Sequence, residues 1–179
     1  MSEDVTASVP PFSTTGIRTV CVRATDADLN LGAGECILLP VYDPQGAFVT
    51  GSGVVMSPAG ADLGTPSASG PANFGFVSRY QPGASTPSGN LEFRFRAGNL
   101  NFQSTSMEWL VVTGEPRAKF RGEGAITGAT VCKFEVDAWD GSFQPGSADA
   151  LGLKIFSCAG GVDRYNLPPT SIRGSIIIR

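Results

Sequence analysis

Along most of this chain apolar and polar residues alternate with a period of two. The clearest stretch runs from residue 91 to 97, where Leu91, Phe93, Phe95 and Ala97 alternate with Glu92, Arg94 and Arg96. Such a segment is a strand with one face in a core and the other in water. The following Gly98-Asn99 fits a two-residue hairpin turn, which places Phe95 opposite Phe102 and Ala97 opposite Leu100 on the apolar face. The partner strand, "LNFQSTSMEWLVV", changes phase. Leu100 and Phe102 occupy even positions, Met107, Trp109 and Val111 odd ones, so the strand must bulge or bend between Gln103 and Ser106. A bent strand of this kind sends Trp109 and Val111 to a second layer.

The same period recurs elsewhere. "IRTVCVRATD" and "ECILLPVYD" read as two strands joined by a polar loop, followed by "GAFVTGSGVVM", "ANFGFVSRY", "RAKFRGEGAI", "TVCKFEVDAW", "ALGLKIFSC" and "SIRGSIIIR". No long window carries the i, i+3, i+4 apolar spacing of an amphipathic helix, and the many glycines would each cost a helix about 1 kcal/mol. The fold class is therefore all-β, an antiparallel sandwich or flattened barrel of about ten strands. Two Gly/Pro/Ser-rich segments, "SPAGADLGTPSASGP" and "QPGASTPSG", read as surface loops and as natural contact surfaces.

Composition narrows what such a framework does. The 179 residues suffice for one core, and charged residues make up only 16%, against roughly a quarter in ordinary soluble domains. A net charge of -3 offers no basic face for a phosphate backbone, which argues against nucleic acid. No apolar run approaches a membrane span, and "MSEDVTASVPPFSTTG" lacks the basic and apolar regions of a signal peptide. Histidine is absent, which excludes Ser-His-Asp and Cys-His nucleophile systems and any Cys/His zinc site. A carboxylate pair could still hydrolyse glycosides, but the sequence does not show which acids face one another. "GSGVVM" and "GEGAITG" lack the lysine and following helix of a phosphate-binding loop.

The four cysteines pair most simply as Cys21 with Cys36 and Cys132 with Cys158, which points to an oxidising compartment; the alternative is four buried free thiols. Cys158 is out of phase with Leu153 and Ile155, so its bridge requires a bulge or a place in the following loop. Asp26, Asp28 and Asn30, with Glu35 further on, resemble the start of a calcium loop, although Leu31 stands where an EF-hand needs glycine; the competing reading is a polar hairpin loop. Apart from this calcium, no cofactor is indicated. Trp109, Trp139, Tyr80 and Tyr165 have faces suited to sugar rings. Trp139 is the foremost, because it is out of phase with Phe134 and Val136 and so can face solvent beside Asp137 and Asp140; the competing reading is packing in the core or a second layer. Asp163, in "GGVDRYN", is a further candidate contact.

"GAFVTGSG", "SPAGA", "ANFGFVSRYQPGASTPSGNLEFRF", "AGNLNFQSTSMEWLVV" and "GSIIIR" together resemble a module found at the C-terminal end of many large secreted bacterial proteins, often after PKD-like or other immunoglobulin-like repeats. The resemblance spans residues 41–179. The family commonly carries a Gly-Gly-Gly-Trp run where this chain has Gly51-Ser52-Gly53-Val54, and lacks the cysteines at 132 and 158. Residues 17–42 resemble the last hairpin of a PKD-like repeat. The expected organisation is a flexible tail over 1–16, that hairpin over 17–42, and a β-sandwich or barrel module over 43–179. The resemblance implies no catalytic activity: it implies an extracellular or cell-surface structural or interaction module, joined to neighbouring domains of a longer chain and contacting a protein or glycan. The alternatives are a carbohydrate-binding module and a self-assembling surface subunit, in which the strand-like "VTASV" of the tail adds to a neighbour's sheet edge.

Overall fold

The computed structural model describes residues 16–26, 28–41, 47–113, 116–127 and 130–179, together with Ser8, Phe12 and Thr14. The "VTASV" stretch, and the self-assembly expectation that rests on it, lie outside the described residues. Ten antiparallel strands form: β1 (Gly16–Val22), β2 (Glu35–Val41), β3 (Phe48–Ser57), β4 (Gly70–Arg79), β5 (Ser88–Phe95), β6 (Leu100–Val112), β7 (Arg117–Ile126), β8 (Thr130–Trp139), β9 (Ala150–Phe156) and β10 (Tyr165–Ile178). The all-β antiparallel expectation holds, with the sandwich alternative set aside. β3 to β10 run up and down in sequence order and close into an eight-stranded barrel when β10 pairs with β3; β1 and β2 form a separate two-stranded ribbon.

Alternation fills the barrel. Leu91, Phe93 and Phe95 on β5, Phe102 on β6, Phe120 on β7 and Phe134 on β8 are wholly buried. Rings meet across the interior, Phe76 with Phe120 at 5.2 Å and Phe102 with Phe134 at 5.6 Å between centroids. Charged side chains such as Glu92, Arg94, Lys119 and Glu135 alternate outward, the reverse of a barrel that faces lipid. Among the described residues no helix is long and apolar enough to cross a membrane.

The β5–β6 turn differs from the two-residue expectation. Phe93 pairs with Phe102 and Phe95 with Leu100, so the turn comprises the four residues 96–99, the Asn99 amide donates to the Arg96 carbonyl, and Ala97 is exposed. The shift is two residues, which preserves the face of every side chain. Asn99 takes the left-handed conformation (φ 48°), one of the few non-glycine residues to do so readily.

The phase break in β6 comprises two bulges. Thr105 is the extra residue between the Ser104–Gly124 and Ser106–Glu123 pairs, and Glu108 the extra residue between Met107–Gly122 and Trp109–Arg121. The first bulge moves the inward phase to Met107; the second returns it to Leu110. Trp109 and Val111 therefore point out of the barrel and yet are buried, and they lie outside the barrel's core cluster. The elements that come against β6 from outside the barrel are β1 and β2, the second layer. Opposite the bulged stretch β7 carries Gly122 and Gly124. A Cβ at Gly124 would strike the Phe102 ring and the Gln103 carbonyl, so only glycine admits this approach.

Closure uses a long last strand. The first half of β10 pairs with β9 and the second half with β3, and the β9 ladder shifts register between Leu167 and Thr170, where Pro168 and Pro169 have no N–H to offer it. β9 begins at Ala150, level with Ser171, which leaves the far end of β10 without a strand on that side. The β8–β9 loop fills the gap with carboxylates. Asp149 accepts from Gly141 N at 2.8 Å and Ile176 N at 2.6 Å, and Asp140 accepts from Ile178 N at 3.2 Å.

Both disulfides are formed. Cys21 and Cys36 are directly paired across β1 and β2, and Cys132 on β8 is bonded to Cys158, which lies in the loop after β9, as the phase argument requires.

Candidate functional site

Among the described residues the interior is occupied by a continuous cluster of buried side chains. Tyr80 and Tyr165, candidates for sugar stacking by sequence, belong to the core: Tyr165 packs 4.9 Å from Phe93 and donates to Ser57 Oγ at 2.8 Å, and Tyr80 Oη accepts from Leu110 N. Burial raises the Tyr165 phenol above the ordinary tyrosine value, against the opposing pull of the Ser57 bond. One barrel end is plugged by the segment expected to be a surface loop. There Ala61 and Asp62 are buried, and Asn166 N donates to Ala61 O and Leu63 N to Arg164 O. The fully buried Asp62 carboxylate faces the Arg164 guanidinium and accepts from Gly64 N at 3.0 Å. Arg164 also donates to Gly98 O, and its own burial lowers its pKa from the ordinary arginine value.

The outer wall carries an ordered array of charged side chains. Across β7 and β8 the register aligns Arg117 with Trp139, Lys119 with Asp137, and Arg121 with Glu135. Arg117 makes a two-pronged bond to Asp137, at 2.7 and 2.6 Å, which lays its guanidinium over the Trp139 ring, 4.6 Å from the centroid. Lys119 approaches Asp137 and Glu135, while Glu108, the second bulge residue of β6, receives Arg121 and Lys133. These pairs are partly solvated and contribute roughly 0.2–1 kcal/mol each; what they fix is the position of the side chains.

Beside this ladder lies a cleft of about 390 Å³, lined by Trp139, Pro116, Gln144, Ser147, Ala150 and Pro169, with Asp140 at its border. Arg117 occupies one face of the tryptophan. The indole Nε1–H is buried and meets no acceptor among the described residues. The cleft thus offers an aromatic surface, two proline rings and amide and hydroxyl groups, a composition suited to a flat, partly apolar ligand carrying hydrogen-bonding groups.

The four candidate contact residues separate. Trp139 and Asp137 come together through Arg117. Asp140 borders the cleft, but it is 5% exposed and its carboxylate is taken by Ser142 N, Ser142 Oγ and Ile178 N. Asp163 accepts from Ser157 N in the β9–β10 loop, at the other end of the barrel from Trp139. Trp109 is sealed beneath the second layer. In the calcium candidate, Asp26 turns its carboxylate onto its own loop, accepting from Asp28 N, Asn30 N and Asn30 Nδ2. The Asn30 bonds, chiefly, hold this carboxyl below the usual aspartate value. No cluster of three or more metal-ligating Cys, Asp or Glu residues occurs among the described residues, and Glu35 lies on β2 as the cross-strand partner of Val22.

Sequence reasoning missed Pro116, Gln144 and Pro169, which reach the cleft from two loops and the bulge of β10, and Arg117, which periodicity marked only as a polar strand position. No protein-family model, curated protein or solved structure matches the chain.

Proposed function

We propose that this chain is a non-catalytic extracellular or cell-surface interaction module, which holds a partner on the outside of a rigid barrel. The observation that carries the reading is the solid interior: aromatic side chains fill the barrel, an ion-paired loop plugs one end and carboxylate-bonded backbone closes the seam at the other. The two disulfides support an oxidising compartment, and the resemblance to modules of secreted bacterial proteins agrees with it. Incubation with polysaccharide, peptide and ester substrates is expected to give no product above a heat-killed control. Turnover abolished by a single Asp or Glu substitution would overturn the reading.

A carbohydrate-binding role is the second reading, favoured by the Trp139 cleft. A screen of neutral glycans against the protein and its Trp139→Ala variant tests it. Binding that the variant loses supports it; binding that the variant retains, or none at all, removes it.

A further inference from the structure

A second cleft, of about 440 Å³, lies on the outer face of β4, β5 and β6. The register sets Asn73, Arg94 and Asn101 in one transverse row, and Gly75, Glu92 and Gln103 in the next. Arg96, the first residue of the β5–β6 turn and two positions after Arg94, lines the same cleft. All the charged and amide side chains of the first row, with Glu92 and Arg96, are exposed. Between the rows Gly75 contributes no side chain, and a Cβ built there meets nothing within 4 Å, so the floor of the cleft is open.

The charge pattern of this cleft differs from that of the β6–β8 wall. On the β6–β8 wall Arg117, Lys119, Arg121 and Lys133 all have carboxylate partners, and Arg164 has Asp62. Arg94 and Arg96 have none among the described residues, although Glu92 is the outward position next to Arg94 on β5. In a protein of net charge -3, β5 and the turn after it thus bring two unneutralised guanidiniums to one cleft, flanked by two amides. A guanidinium fork matches a planar carboxylate, while Asn73, Asn101 and Glu92 supply donors and acceptors for hydroxyl groups. Apart from Phe74 and Gly75 the lining is polar, and all of it except Arg96, the first residue of the β5–β6 turn, sits on strands.

We infer that this cleft binds a carboxylated sugar, a hexuronate unit of an acidic polysaccharide. The carboxylate lies on Arg94 and Arg96, and the ring hydroxyls on the amides and Glu92. The site is separate from the Trp139 cleft and does not depend on it. The test is calorimetric titration with oligogalacturonate at 50 mM salt, alongside the methyl-esterified oligomer, which keeps the sugar and removes the charge, and dextran sulfate, which keeps charge without carboxylate. The free oligomer is expected to bind and the esterified one not to. Arg94→Gln with Arg96→Gln should weaken binding at least tenfold. Gly75→Leu, whose side chain enters open space, should block the cleft to the same extent with the fold intact by circular dichroism, and Trp139→Ala should bind as the parent does. Absence of binding, equal binding of the esterified oligomer, displacement by dextran sulfate at equal concentration, or unchanged affinity in both cleft variants would each overturn the inference.

Discussion

Replacing Asp149 with alanine removes the carboxylate that ties the unpaired end of β10 to the β8–β9 loop. Its two oxygens accept from Gly141 N at 2.8 Å and Ile176 N at 2.6 Å, both short, charge-assisted bonds. Bonds to a charged group contribute roughly 1.5–3 kcal/mol each, and because Asp149 is half-buried the lower end applies. Losing both should cost about 3 kcal/mol, or about 6–12 °C in Tm for a chain of this size. Asp149→Asn can keep one acceptor but turns an NH2 group toward the other amide, so it should recover no more than half. Urea denaturation measures the total, and the m-value should stay constant because the surface exposed on unfolding is unchanged. Native-state hydrogen exchange assigns the effect: the Ile176 amide should exchange faster in the variant, while Ile178, still held by Asp140, changes less. A loss under about 1 kcal/mol, or an Ile176 amide protected as before, would refute the account of the seam.

Phe102→Ala, in the barrel core against Phe134, should cost about 3–5 kcal/mol in the same denaturation assay, whereas Arg94→Ala on the outer face should cost under about 1 kcal/mol; equal losses would contradict the assignment of faces. The Tyr165 phenol, raised by burial, gives a signed pH dependence: the folded state holds this proton more tightly, so the stabilisation is complete below the ordinary tyrosine pKa of 10.0 and declines as pH rises through the higher folded value. Stability measured from pH 8 to 11 should fall on the alkaline side, and Tyr165→Phe should flatten that limb; an unchanged limb would assign it to other groups.

Periodicity made the strands legible because each barrel wall separates one apolar face from one wet face, and the cysteine pairing followed from proximity along the chain, with the phase of Cys158 pointing to its place beyond β9. Closure was not legible, since the Val55–Ile172 pairing of β3 with β10 leaves no local trace. The second bulge of β6 was hidden for a physical reason. Trp109 and Val111 are apolar because the ribbon lies on that side of the strand, so they continued the alternation that Leu110 had already left. The Gly98-Asn99 pair fits both a two-residue turn and the last half of a four-residue one. The plug at the barrel end was masked by composition: a lone Asp62 among Gly, Pro, Ser and Ala reads as a surface loop until Arg164, remote in sequence, is brought against it. For the Trp139 cleft, the outward phase of the tryptophan was visible, but the residues that shape the pocket around it come from separate loops and the β10 bulge.

Because β10 joins both β9 and β3, the barrel cannot close until the last strand in the chain is present. The hydrogen bond from Tyr165 to Ser57 spans 108 positions, and contacts of such separation must be reached against the closure entropy of the intervening chain. During synthesis β3 therefore waits, its edge unpaired, while the six strands after it add one by one. This waiting sheet is the state most exposed to pairing with another chain. The folding hazard of this protein is thus kinetic and lies before closure. Once β10 has docked, the ring of strands is closed and the far end of β10 is capped by Asp149 and Asp140, while the ribbon of β1 and β2 keeps its open edges.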